Sequence, residues 1–385
     1  MPAAEQLLPN DTLAVFTVPD WDKATRYFSG SPLGQLWQDP ALKPFKDKFL
    51  KEFTDDVLAP LERQLGVKFT DYQNLVHGQL TLAVTQNGWD GVSDKKPGLL
   101  LVIDVKEKRD QLKVQLADLK KKLSDAGRQF KSEKIRDLEF TTILIQRKDL
   151  TQALEKAFAD KNTNPPPNES PATGKKEPPI EFSFGQSDSL LIVGNSAKDI
   201  ERLLSRLSGG LAGALAEQSS FEASRSSIFR DALCFGWLNF VPIYESLNRQ
   251  VGASAKSGKL ANPFAPAPDK ILAAIGLGSL KSVALKFSAA AEGAFAEVFL
   301  AAPESGRQGL FKVLAIESKE SAPPPFVPGD AVKFSRWRLD GQKAWAALEN
   351  ILSSLSPEMA GALQMTISMV GKDKDPNYNK LKDIF

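Results

Sequence analysis

The sequence predicts an α+β protein in which antiparallel sheets carry helices on one face and which is built from related, repeated units. Apolar segments that alternate like strands are joined by short turns, and amphipathic segments with helical spacing lie between them. The opening Asp-Thr-Leu-Ala-Val at residues 11–15 returns in fainter form at residues 231–235 and 330–334. A chain of 385 residues also exceeds one small core, so we expect two or three domains.

The first predicted α+β unit spans residues 1–215 and opens with a strand at residues 13–18. Asp20 follows this strand and can cap a helix that begins near Trp21. Gly30-Ser31-Pro32 interrupts the helical spacing, and the sequence therefore predicts two short helices here instead of one long helix.

Residues 40–65 predict a long amphipathic helix with one row of apolar side chains. The spacing of four residues makes the row drift slowly around the helix, so the helix must wrap its neighbour or bend. We expect this row to face the core, and a partner-binding groove is the alternative. The row consists of Phe45, Phe49, Phe53, Val57, Leu61 and Leu65.

The centre of the first unit predicts two paired strands and a helix. Residues 79–85 and 98–104 are expected to pair antiparallel, and residues 109–127 to form a helix with a leucine face. A further strand is expected at residues 138–145 and a short helix at 150–158.

The end of the first unit contains an abrupt change in composition. Residues 162–179 are rich in proline and polar side chains, which predicts a disordered loop. A hairpin follows, with strands at residues 180–184 and 189–193. Asn195-Ser196 can then cap a helix over residues 198–207.

The second predicted α+β unit spans residues 216–325. We expect a helix at residues 241–251, a flexible segment at 252–268 and a hairpin from 282–287 to 294–300. A further strand is expected at residues 310–317.

The third unit, residues 326–385, is interpreted as the start of a further repeat that is truncated. Asp20 and Ala24 match Asp340 and Ala344, and residues 69–76 align with residues 378–385. In the first copy the next residues enter a strand, so we expect the native chain to continue past residue 385. Without that strand, the helices near Trp345 and Met365 must dock elsewhere or be poorly ordered.

Three short motifs stand out: Leu-Leu-Pro-Asn-Asp-Thr-Leu-Ala-Val at residues 7–15, Ser-Pro-Leu-Gly-Gln-Leu-Trp at residues 31–37, and the recurring Asp-Ala-Leu strand starts. Together they resemble a family of secreted bacterial repeat proteins known only as a domain of unknown function. The resemblance implies export to the cell envelope and an α+β repeat architecture. It supplies no catalytic residues.

Charge and cysteine content narrow the possible partners and sites. The chain has 49 Lys and Arg against 47 Asp and Glu, so no overall basic field attracts nucleic acid, and no nucleic-acid partner is expected. The lysines at 113 and 120–122 are interpreted as a solvated helix face.

Cys234 is the single cysteine, which excludes an intramolecular disulfide and a thiolate metal cluster. We interpret it as a small buried apolar side chain.

The chain contains no run of eighteen apolar residues, so no transmembrane segment is expected. Its short polar opening is typical of an exported protein whose signal peptide has been removed. A periplasmic or secreted location is therefore expected, and a cytoplasmic location is left open.

No residue of the sequence is assigned a catalytic, cofactor-binding or metal-binding role, and no cofactor is expected. His77 is the single histidine, and no Gly-x-Ser-x-Gly motif is present. Other weak patterns are explained by turns, linkers and helix caps. They are a phosphate-loop-like segment at residues 252–260, the glycines of residues 276–278, a calcium-loop-like segment at residues 373–379, and the carboxylate pairs Asp20 with Asp22 and Asp55 with Asp56.

We therefore expect a non-enzymatic scaffold or binding protein outside the cytoplasm, whose partner is another protein or an envelope component. Two alternatives remain. The row that begins at Phe45 suggests a carrier that holds an apolar ligand or lipid between sheet and helices. The carboxylate pairs suggest an enzyme that acts on glycans.

Overall fold

A computed structural model of the chain describes residues 1–59, 62, 68–93, 95–145, 179–211, 213–256, 268–290, 293–314, 323–331, 334–335 and 340–369. Within these ranges the chain forms twelve α-helices and one sheet of ten strands. The paired strands run antiparallel, which confirms the α+β class.

All ten strands belong to a single sheet, where the sequence predicted several. The strands are β1 Thr12–Val18, β2 Leu80–Thr85, β3 Gly98–Asp104, β4 Phe130–Ile135, β5 Leu138–Ile145, β6 Ile180–Ser187, β7 Leu190–Gly194, β8 Ala232–Asn239, β9 Ser282–Ala290 and β10 Gly293–Ala301. Their order across the sheet is β10-β9-β8-β1-β2-β3-β7-β6-β5-β4.

The helices precede, connect and follow these strands. They are α1 Ala4–Leu7, α2 Trp21–Gly30, α3 Pro32–Gln38, α4 Lys43–Phe53, α5 Arg109–Asp125, α6 Ala197–Leu207, α7 Ser219–Ile228, α8 Phe240–Lys256, α9 Pro268–Ile275, α10 Leu310–Leu314, α11 Gly341–Leu355 and α12 Pro357–Met369. Helix α4 lies between a short 3-10 turn at Pro40–Leu42 and a π-helical turn at Thr54–Leu58.

One face of the sheet packs against α6 and α7 and forms the main core. Val15, Ala83 and Leu100 lie opposite one another on neighbouring strands and are buried. The leucine and isoleucine side chains of α6, together with Phe221 of α7, pack onto this layer. The core therefore follows from the two-residue alternation of strands β1, β2 and β3.

The other face of the sheet packs against α5. Leu123 of α5 packs with Ile143 and Phe184 of the sheet. Leu112 of the same helix packs with Val105, and Ile103 and Leu191 of the sheet lie against this pair. The expectation that helices cover one face is therefore wrong. Strands β3 and β7 are apolar at successive positions, so both of their faces need cover.

Contacts between residues divide the chain into two compact units. The first comprises Met1–Trp89, Asp94–Asn239 and Ala284–Phe299, and the second comprises Asp90–Ser93, Phe240–Val283 and Leu300–Phe385. This division differs from the predicted limits at 215 and 325, because β8 to β10 extend the sheet of the first unit. The three-part division into repeats stays a prediction.

Most predicted elements are present where the structure describes the chain. These include the pair of β2 and β3, the break between α2 and α3, the helix α5, the hairpin of β6 and β7, and the neighbouring strands β9 and β10. In the second unit, α11 packs against α9, α10 and α12, so this helix does dock on other helices.

Three predictions are corrected. Leu310–Leu314 form a helix where a strand was expected, because a short apolar run does not distinguish the two and this one packs against α11. The predicted flexible segment starts too early, since α8 continues to Lys256 through residues that are compatible with a helix. Strand β4 was not predicted, because its exposed polar residues hide the alternation.

Other predictions lie outside the described residues. They are the helix at residues 150–158, the loop at residues 162–178, the remainder of the flexible segment at residues 257–267, and the calcium-loop-like segment at residues 373–379.

A buried carboxylate ties α6 to the sheet. Asp199 is fully buried, and its Oδ2 accepts a hydrogen bond of 2.6 Å from Thr85 Oγ1. Its Oδ1 lies 3.3 Å from Arg202, which also contacts Asp11 at 2.8 Å. Gly98 leaves room for this carboxylate, because a Cβ there would lie 2.2 Å from Asp199 Oδ2. The network fixes α6 above β2 and β3.

We expect Asp199→Ala to lower the free energy of unfolding by about 3 kcal/mol, because Thr85 and Arg202 lose a buried charged partner. Urea unfolding followed by circular dichroism measures the change. The control is Asp125→Ala, an exposed carboxylate of α5, for which the change should stay below about 0.5 kcal/mol. Equal effects of the two substitutions would contradict the structural role of Asp199.

Candidate binding surface

The corner between α2 and α3 is closely packed. Asp20 caps α2 by accepting a hydrogen bond of 2.9 Å from the backbone N–H of Lys23. Ser31 caps α3, because its Oγ accepts from the N–H of Gly34 and donates to the carbonyl of Phe28. A Cβ at Gly34 would lie 1.7 Å from the Phe28 carbonyl oxygen, so only glycine permits this approach.

Helix α4 continues from α3 through the 3-10 turn Pro40–Leu42, which Asp39 caps through the N–H of Ala41. Phe45, Phe49 and Phe53 recur every fourth residue and therefore lie on one side of α4. The expectation that this row faces the core is wrong for these three rings. They are 60%, 50% and 45% exposed, respectively.

These rings and the apolar side chains of α3 form what we call the aromatic helix surface. Trp37 packs edge to face against Phe49 with ring centroids 6.1 Å apart, and Phe45 stacks on Phe49 at 6.3 Å. On α3, Leu33 and Leu36 are 62% and 52% exposed. The surface consists of Leu33, Leu36, Trp37, Phe45, Phe49 and Phe53. Exposed apolar groups that adjoin in this way mark interaction sites.

A polar cluster surrounds His77 at the entrance to β2. His77 Nδ1 lies 2.9 Å from Asp22 Oδ1, and Nε2 lies 3.1 Å from the carbonyl oxygen of Asn74. Within the described residues, no hydroxyl contacts the ring, whereas a triad needs one there.

Lys106 joins the carboxylates of the same cluster. Its Nζ lies 3.4 Å from Asp20 Oδ2 and 3.6 Å from Asp22 Oδ2. The backbone N–H of Lys23 lowers the pKa of Asp20 below its ordinary value, and Lys106 adds to this effect. A general acid needs a carboxyl group with a raised pKa, so this environment suits a helix cap better than acid catalysis.

A second group of carboxylates lines a cleft of about 480 Å³ between α5 and strands β5 and β6. Glu139 lies 2.8 Å from Lys120, and this hydrogen bond lowers the pKa of the carboxyl group. Asp188 lies 3.5 Å from Arg109. The pairing of Glu139 with Lys120 favours the charged form of this carboxyl group and not the protonated form that a glycosidase acid requires.

The remaining candidates occupy local structural positions. Cys234 is half-buried in β8, and burial raises the pKa of its thiol, which leaves little reactive thiolate. Asp55 and Asp56 belong to the π-helical turn after α4. Gly276, at φ 87°, begins the 3-10 turn Leu277–Ser279. In the phosphate-loop-like segment, the residues up to Lys256 are helical and the others are not described.

The lysine-rich face of α5 is partly paired with acids. Lys122 lies 3.0 Å from Asp118 and 3.3 Å from Asp71. Across the described ranges, no group of three or more His, Cys, Asp or Glu side chains is placed to hold a metal ion.

Comparison with protein-family models, curated proteins and solved structures finds no match to this chain. In the part of the chain that the structure describes, no helix combines the length and apolar character needed to cross a bilayer.

The sequence pattern did not predict that the side chains of the aromatic helix surface are exposed to solvent. The available signal was the set of lysines at positions 43, 46, 48 and 51, which alternate with the phenylalanines and leave α4 little apolar width. The structure, in contrast, shows that the sheet faces near the core are already covered by α5, α6 and α7.

Gly34→Ala is expected to open the corner between α2 and α3 and to destabilise the protein by about 1–3 kcal/mol, because the new methyl group overlaps the Phe28 carbonyl. Thermal unfolding measures this loss. Gly30→Ala is the matched control, since no atom lies within 4 Å of a Cβ at Gly30. A Gly34→Ala protein as stable as Gly30→Ala would contradict the packed corner.

The Asp20 cap is expected to stabilise α2 less as the pH falls. The pKa of Asp20 is lowered in the folded state, so its contribution is present above its ordinary value of 3.8 and is lost as the pH falls through the lower folded value. Asp20→Asn keeps a side-chain cap but removes the negative charge at the N-terminus of α2, so it should cost about 0.3–1 kcal/mol at neutral pH. Unfolding at a series of pH values should show this difference shrinking in acid, and a difference that stays constant down to acid pH would contradict the role of the Asp20 charge.

Proposed function

We propose that this chain is a non-enzymatic binding protein that acts outside the cytoplasm and binds its partner through the aromatic helix surface. The observation that carries this proposal is the exposure of Phe45, Phe49 and Phe53 in one row beside Leu33 and Leu36. Burying a phenylalanine side chain contributes about 1.5–3 kcal/mol, so several such residues can supply the core of an interface.

The position of this surface on a fixed scaffold supports a binding role. The caps formed by Asp20, Ser31 and Asp39 define the path of the chain through three successive helical segments. Contacts among Trp37, Phe45 and Phe49 further restrict the rings. A partner therefore meets a partly ordered surface, which reduces the entropy lost on binding.

Location outside the cytoplasm and membership of the secreted repeat family belong to the same proposal. They rest on the motifs at residues 7–15 and 31–37 and on the short polar opening of the chain. A periplasmic or secreted position would place the surface near proteins and lipids of the envelope.

The repeated architecture is also proposed, and the matching helix caps support it. Asp20 accepts a hydrogen bond from the N–H of Lys23 at 2.9 Å, and Asp340 accepts one from the N–H of Lys343 at 3.0 Å. These are the aspartates that align between the first and third copies. The same cap at matched positions is what two copies of one unit would retain.

A carrier of an apolar ligand is the second candidate, and one observation favours it. Phe16 and Leu82 lie opposite each other on β1 and β2 and are exposed. In the next strands the same row continues to Leu101 and Val193, where α5 begins to cover the sheet. An apolar ligand beside α5 would extend this cover. Tryptophan fluorescence titrated with a fatty acid tests this candidate: saturable binding that Phe16→Ser abolishes is the expected result.

The proposed binding function predicts that the full chain sediments with bacterial envelope membranes and that Phe45→Ser/Phe49→Ser weakens this binding at least about ten-fold. The substitution removes apolar area from the interface without adding charge. Circular dichroism of the variant checks that the fold is retained.

The matched control is Phe295→Ser, which removes a ring that is 48% exposed on β10. This control should bind the membranes as the unaltered chain does. Equal binding by Phe45→Ser/Phe49→Ser and the unaltered chain would remove the basis of the proposal.

A further inference from the structure

We propose that the aromatic helix surface docks on an anionic phospholipid membrane, with α4 parallel to the bilayer plane; this inference rests on the proposed binding function and names its partner. The charges beside the apolar row of α4 and the geometry of that row both favour this partner.

Lysines flank the apolar row on both sides. Each step of four residues turns an α-helix by about 40°, so Phe45, Phe49 and Phe53 span about 80° of the helix circumference. Lys46 lies about 20° beyond the Phe53 edge, and Lys48 lies about 60° beyond the Phe45 edge. Glu52 lies about 20° beyond the Phe45 edge, between Phe45 and Lys48, so an ammonium group directly borders the rings at the Phe53 edge and lies beyond one carboxylate at the other.

Helix α4 itself has a net positive charge, and the π-helical turn that follows it contains Asp55 and Asp56. Lys43, Lys46, Lys48 and Lys51 stand against Asp47 and Glu52, which leaves this short helix a net charge of +2. The whole chain has the same net charge of +2. Within the described residues, the structure gives the four lysines no ion pair, so their ammonium groups remain free for an anionic partner.

This arrangement matches a lipid surface better than a protein groove. Helices that lie in the membrane interface place aromatic and leucine side chains in the boundary of the acyl chains, with lysines at the level of the phosphates. The lysine stems extend along the apolar layer while their ammonium groups reach the headgroups. A protein groove would need carboxylates on both sides of a narrow apolar channel to satisfy the same charges.

Helix α3 enlarges the area that can enter the bilayer. Leu33 and Leu36 are the two leucines of the surface and are both exposed, and Trp37 of the same helix contacts Phe49. Tryptophan is favoured at the boundary between headgroups and acyl chains. The eleven residues of α4 are too few to cross the hydrocarbon core, so the helix lies on the membrane and does not span it.

Sedimentation of the full chain with lipid vesicles tests this inference. The probes are vesicles of equimolar phosphatidylcholine and phosphatidylglycerol, and vesicles of phosphatidylcholine alone. We expect binding to the anionic vesicles to be at least about ten-fold tighter and to weaken as salt is added, because salt screens the lysines.

Three variants separate the contributions of the surface. Lys46→Gln/Lys48→Gln should weaken binding to anionic vesicles about thirty-fold, the effect of two lysines near such a membrane. Phe45→Ser/Phe49→Ser should weaken it at least about ten-fold. Phe295→Ser should leave it unchanged. Equal binding to both vesicle types, or full binding by either double variant, overturns the inference.

Two outcomes distinguish this inference from the proposed binding function. Envelope membranes that bind through Phe45 and Phe49, while pure lipid vesicles do not, would assign the surface to a protein partner and overturn only the lipid inference. Analytical ultracentrifugation without lipid tests whether a second copy of the chain binds to this surface. A dimer that dissociates on Phe45→Ser/Phe49→Ser would assign the surface to a second copy of the chain and likewise overturn the inference.

Discussion

The structure depends on the burial of both faces of the sheet around β3 and β7. Leu100 and Ile192 point to the layer under α6 and α7, whereas Leu101 and Val193 belong to the opposite face. Because side chains alternate along a strand, a slip of one residue would exchange the two layers. Helices are therefore required on both sides, and the pairing register decides which apolar residues each helix meets.

This requirement explains why α4 differs from the three helices that cover the sheet. Helices α5, α6 and α7 each contribute fully buried side chains to the core, whereas α4 contributes none. The apolar side chains of α4 are as large as those of the core helices, but they remain in water. An unburied aromatic row on a capped scaffold is a costly arrangement for a protein that binds nothing, and this cost supports a role in association.

The groups that could carry chemistry are engaged in structural contacts. His77 joins Asp22 to the carbonyl of Asn74, and Asp199 joins α6 to Thr85. The carboxylates of Asp20 and Glu139 are held in their charged form by hydrogen bonds from neighbouring donors. Polar side chains thus fix helices to strands, and these contacts leave the aromatic helix surface as the proposed binding site.

The sequence by itself determined the α+β class, nearly all strands outside β4, the break at Ser31 and the caps at Asp20 and Ser196, because alternation and capping are local properties. Only the tertiary structure decided that β8 to β10 extend the first sheet, that helices cover both of its faces and that the row from Phe45 to Phe53 is exposed. The sequence of an amphipathic helix shows that one of its sides is apolar. What covers that side depends on whether other helices already occupy the core, and no local pattern contains that information.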